Sequence, residues 1–174
     1  KFFQAQGLHD HALARYEEYV ALSKELSESC PTPEMRKAYS HSLSVLGNFF
    51  KEQGRHDQAQ MRYEECVDSC KELSESCPTP ELRKAYSDSL FHLGEFFQQL
   101  GHSDQALEWY EKDLELSKEL SESCPTPEMR RAYSASLSNL AEVFQDLEHF
   151  DHALEWYGKD LEACEDLSES CPTP

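Results

Sequence analysis

A string of eight residues, Leu-Ser-Glu-Ser-Cys-Pro-Thr-Pro, returns at 26–33, 73–80, 120–127 and 167–174 with an unbroken step of 47. A fixed period of this length marks one supersecondary unit that buries its apolar face by stacking on its neighbours. The paired prolines cannot lie inside a helix, so each string is a join between elements. The chain is therefore read as one array over 1–174: a partial unit 1–31, units 32–78, 79–125 and 126–172, and a next unit beginning at 173. With no initiator Met and both ends in mid-repeat, it is expected to be a segment of a longer array.

Each unit spells two helices. Thr32 can cap the free amides of the first, Pro33 suits its first position, and Glu34 complements its positive end. Met35, Tyr39, Leu43, Leu46 and Phe50 then follow at helical spacing. Gly54 is the expected C-terminal glycine. The second helix is expected to start near His56-Asp57, with Asp57 as its cap. Its apolar stripe is Ala59, Tyr63, Val67, Cys70 and Leu73. The joins, with Thr32, Thr79 and Thr126 as N-caps, predict helices of roughly 18–22 residues. No segment alternates with the period of a strand, so the fold class is all-α.

Thirty-four acids face 16 bases, a formal net charge of −18. Binding to phosphate backbones or anionic lipid requires Lys and Arg to displace counterions, so nucleic acid and membrane surfaces are excluded as partners. No apolar run is long enough to span a bilayer. Cys30, Cys77, Cys124 and Cys171 recur at the repeat step. Stacked helices sit roughly 8–10 Å apart, beyond the Cα separation of about 7 Å a disulfide tolerates, so free thiols and a cytoplasmic setting are expected.

Leu43, Leu46-Gly47 and Phe50, followed by Ala59, Tyr63 and Cys66, match the tetratricopeptide signature. Leu90, Leu93-Gly94, Phe97, Ala106 and Tyr110 repeat it, as do Leu137, Leu140-Ala141, Phe144, Ala153 and Tyr157. The opening segment keeps Phe3, Ala12 and Tyr16. The chain thus resembles the tetratricopeptide repeat family, in a long-helix form similar to kinesin-light-chain repeats. Asp113 and Asp160 depart from the small residue usual at their position. The resemblance implies a right-handed superhelical solenoid of antiparallel helix pairs, whose first helices line a concave groove.

The groove residues that follow from this are His41, Ser44, Asn48 and Lys51 in the first full unit. Asp88, Phe91, His92, Glu95 and Gln98 follow in the second, and Asn139, Glu142 and Gln145 in the third. Amides, acids, imidazoles and one exposed aromatic suit hydrogen bonding to a peptide or helix of a partner protein. The alternative is a structural spacer or self-associating array with no dedicated ligand. Contact through uncapped ends would then be head-to-tail.

No catalytic site, cofactor or metal is expected. His9, His11, His56, His102, His149 and His152 cluster at exposed turns without a fixed coordination shell. Cys66 and Cys70 lie along the buried stripe, where a free Cys packs as a small hydrophobe. Carboxylate pairs such as Glu17-Glu18 and Glu64-Glu65 lie on solvated helix faces. There is no phosphate loop, nucleophile elbow or His-Glu-x-x-His.

Overall fold

A computed structural model of the chain describes residues 2–170, with side chains described from 9 to 168. The described residues form seven helices: α1 (Phe2–Ser29), α2 (Pro33–Glu52), α3 (His56–Ser76), α4 (Pro80–Gln99), α5 (Ser103–Ser123), α6 (Pro127–Asp146) and α7 (Phe150–Ser170). They belong to two compact units, Lys1–Pro78 and Thr79–Pro174. The division falls at a join between repeats.

In the first unit α2 packs against both α1 and α3. It begins where the sequence predicts: Thr32 is extended, its Oγ1 accepts from the Met35 amide at 3.3 Å, and Pro33 follows at the first helical position. At its other end Gly54, with φ of +69°, donates to the Lys51 carbonyl while Arg55 donates to that of Phe50. This paired closure turns the chain straight into α3. Because the turn makes Arg55 the cap residue, with no side-chain cap bond, Asp57 falls inside the first turn of α3. It complements the helix dipole there and does not cap, contrary to the sequence expectation. Leu43, Leu46 and Phe50 on α2 are buried, as are Ala59, Tyr63, Val67 and Leu73 on α3.

α1 runs unbroken from Phe2 through Gly7 to Ser29. The side chain of Phe3, like Cys171, lies outside the described residues.

The second unit contains the hairpins α4/α5 and α6/α7, with α5 also packed on α6 and α4 touching α6. Thr79 and Thr126 repeat the cap of Thr32, accepting from the amides of Leu82 and Met129. Leu90, Leu93, Phe96 and Phe97 on α4 meet the core with Ala106, Tyr110 and Leu120 on α5. Leu137, Leu140, Ala141 and Val143 on α6 are buried as well. Burying a leucine such as Leu93 contributes about 2 kcal/mol. Gly94 is where the two helices cross: a Cβ there would lie 2.7 Å from the Tyr110 ring. At the α6/α7 turn Glu148 occupies the left-handed position, φ 60°, that Gly54 and Gly101 hold in the other turns.

Comparing α5 with α7 identifies what α6 covers. Tyr110 is 2 % exposed and its counterpart Tyr157 37 %; Leu154 and Leu161 on α7 are 70 % and 62 % exposed. Tyr19, Leu22 and Leu26 on α1 are exposed too.

Candidate partner-binding cleft

The first turns of α4 and α6 stand side by side, capped by identical Thr-Pro-Glu strings. Between them lies a cleft of about 410 Å³. Three of the groove residues expected from the sequence line it: Asp88, Phe91 and Asn139. Phe91 is half-buried, not the open aromatic expected, because its ring stacks on Tyr110 with centroids 6.0 Å apart.

The floor of the cleft contains a group that the sequence reading had treated only as a departure from the repeat. Asp113 on α5 is 3 % exposed. Its carboxylate accepts from Ser87 Oγ on α4, and from Ser136 Oγ on α6 at 2.7 Å. One acid therefore ties three helices together. Burial pushes its carboxyl up from 3.8 to about 6; the two hydroxyl bonds oppose the rise, Asp88 adds to it and Lys84 counters it. The signal was present in the sequence as a Ser 26 residues ahead of the variable position, at Ser40, Ser87 and Ser134. Helix propensity and stripe counting are blind to it.

Charge is unevenly distributed along the cleft. Lys84 and Arg131 stand near its start, where Lys84 pairs with Asp88 at 2.8 Å and approaches Glu128 at 3.9 Å. Further along, Tyr110 donates to Gln98 Oε1, and Gln98 Nε2 donates to Asp146. Burial, followed by the charges of Glu95, Glu142, Asp113 and Asp146, pushes the Tyr110 phenol upward. Glu95 is half-buried beside exposed His92, while Glu142 and Gln145 are exposed on α6.

The remaining expected residues belong to the first unit. His41 and Asn48 are exposed, and Ser44 and Lys51 half-buried. Asn48 is engaged internally, its Oδ1 accepting from the Tyr63 hydroxyl at 2.7 Å.

The six described cysteines have free thiols. Cys66 and Cys70 are buried, and a hydrogen bond with Cys70 together with burial pushes the Cys66 thiol upward. Among the described residues no group of three or more His, Cys, Asp or Glu could hold a metal ion. His102 and His149 instead lie beside Phe97 and Phe144, where Arg55 covers Phe50 in the first unit. No described helix is long and apolar enough to cross a membrane.

Residues 89–122 and 136–169 match one tetratricopeptide repeat family model, and residues 40–76 match a second. Among solved structures, BtubC (BKLC) from P. vanneervenii aligns at 25 % identity with a TM-score of 0.71, covering 92 % of this chain and 58 % of its own. The chain thus spans little more than half the length of that relative. A Podosopora anserina protein assigned to the kinesin light chains, with nearly identical TPR-like repeats, aligns at 19 % identity and TM-score 0.63 over 98 % of this chain and 72 % of its own. The designed helical repeat protein DHR64 aligns at 21 % and 0.64, over 97 % and 90 %. The last two share the fold alone. No curated protein sequence matches the chain.

Proposed function

The chain belongs to the tetratricopeptide repeat family, and we propose that it is a protein-interaction scaffold whose α4/α6 cleft receives a segment of a partner protein. Repeats of this family generally mediate protein–protein contact and are typically non-enzymatic. The observation that carries the proposal is the cleft itself, concave and flanked by Phe91, Asp88 and Asn139. A half-buried ring beside convergent polar groups is the usual composition of a recognition surface. The free thiols support a cytoplasmic setting.

A photo-crosslinking residue placed at Asn139 tests this against the same residue at exposed Glu108 on α5. Cross-links to one protein that form from position 139, fail from 108, and weaken with Phe91→Ala plus Glu95→Lys support the proposal. Equal yields from both positions contradict it.

The open faces of α1 and α7 favour a second reading, association of copies end to end. The face on α7 repeats the one that α5 presents to α6, so a second copy is the occupant it fits. Sedimentation velocity separates the readings. Apparent mass that rises with concentration, and stops rising with Leu161→Glu, supports association; a constant monomer mass rules it out.

A further inference from the structure

One buried acid in the cleft has no ion-pair partner within 4 Å among the described residues. Asp113 is almost fully buried, yet the bonds it accepts come from two neutral hydroxyls, Ser87 and Ser136. A carboxylate buried in this way is costly, and proteins ordinarily pair it with a cation. The charged groups that face it are Lys84 and Asp88 from α4 and Glu128 and Arg131 from α6. Lys84, whose charge counters the rise at Asp113, is already held by Asp88 and Glu128.

The carboxylate has room for more bonds. It offers about four lone-pair positions, and the serines use two. Asp113 is among the residues that line the cleft. The Phe91 ring and the Ala132 and Ala135 methyls line the same space. Such a wall fits the aliphatic stem of a long basic side chain, and the ring adds attraction for a cation.

We infer that the cleft takes an arginine side chain from the partner segment, its guanidinium supplying the counter-charge that Asp113 lacks. This rests on the reading of the cleft as partner-binding. Arginine suits the site better than lysine because its planar fork can pair with a carboxylate edge. The specificity belongs to this position alone. Cys66, its first-unit counterpart, is neutral and donates to the Ser40 carbonyl at 3.2 Å. Asp160, its counterpart on α7, accepts from Ser134 and Ser138 and is only half-buried.

The pH dependence follows from the ionised carboxylate being the binding form. Burial pushes the Asp113 carboxyl up to about 6, so affinity falls as pH drops through that value.

The test uses N-acetyl-arginine methylamide and its neutral citrulline counterpart, titrated into the full chain and followed by amide NMR shifts. The arginine probe should give saturable shifts at Ser87, Asp113 and Asn139. Affinity should be lower by at least about tenfold for citrulline and for Asp113→Asn, the scale of one charge-assisted bond. The wild-type pH profile gives a second readout that needs no variant. Equal affinity for citrulline, undiminished binding by Asp113→Asn, no weakening as pH falls, or shifts that avoid the cleft would each overturn the inference. Cross-linking from Asn139 to a partner segment that has no arginine would overturn it too, while leaving the cleft as the partner site.

Discussion

Residues 66 and 113 occupy one place in the repeat, a single 47-residue step apart, and carry different chemistry there. In the first unit a thiol fills the position, buried and bonded to the Ser40 carbonyl. In the second a carboxylate fills it, buried as deeply and bonded to Ser87, the counterpart of Ser40. Both helix pairs close equally well around the two groups. Packing therefore does not require a charge there, and stability alone would favour the neutral residue. The inferred pairing with a partner arginine would account for the acid, at a cost to the fold.

The largest effect should come from forcing the comparison the other way. Cys66→Asp places a charge at a buried position of the first unit, and urea denaturation at neutral pH should show a loss of about 3 kcal/mol. An unchanged protein would mean that the position tolerates charge freely, and the contrast between the units would collapse.

A smaller difference is expected where the helices cross. A Cβ at residue 94 would lie 2.7 Å from the Tyr110 ring, against 3.1 Å from the Tyr63 ring at residue 47. Gly94→Ala should cost about 2 kcal/mol and Gly47→Ala about 1 kcal/mol, measured the same way. Equal losses would show that Tyr110 is no more tightly seated than Tyr63.

The mildest change concerns the turns. Glu148 sits at φ 60° where Gly101 sits at 75°. Glu148→Gly should raise stability by about 1 kcal/mol in calorimetry, because a side chain in the left-handed region is strained. Any loss would mean that Glu148 makes a contact worth more than the strain it bears.

These positions also show which features the sequence made legible. Thr32, Thr79 and Thr126 could be assigned as caps because cap, proline and acid lie within three residues of one another. Gly54 was equally readable, since its role depends on its own φ. Asp57 was misread because the start of α3 is decided by the turn bonds of Gly54 and Arg55, not by the best capping side chain nearby. Asp88, Phe91 and Asn139, chosen for their place beside the buried stripe, line one cleft. The bonds of Asp113 were not legible because its partners, Ser87 and Ser136, are 26 and 23 residues away and meet it only once α4, α5 and α6 are assembled.

The most direct test of the central claim is the stability of the wild type against Asp113→Asn, by urea denaturation from about pH 4 to about pH 8. The folded carboxyl is raised from 3.8 to about 6, so its contribution to stability is complete below the lower value and is lost as pH rises through the upper one. At about 1.4 kcal/mol per pH unit, the ionised acid costs on the order of 3 kcal/mol. Asp113→Asn should accordingly be the more stable protein at neutral pH, by about 2 kcal/mol after allowing for an imperfect amide fit, and the gap should close toward pH 4. A wild type that is the more stable at neutral pH, or a gap that ignores pH, would contradict the account.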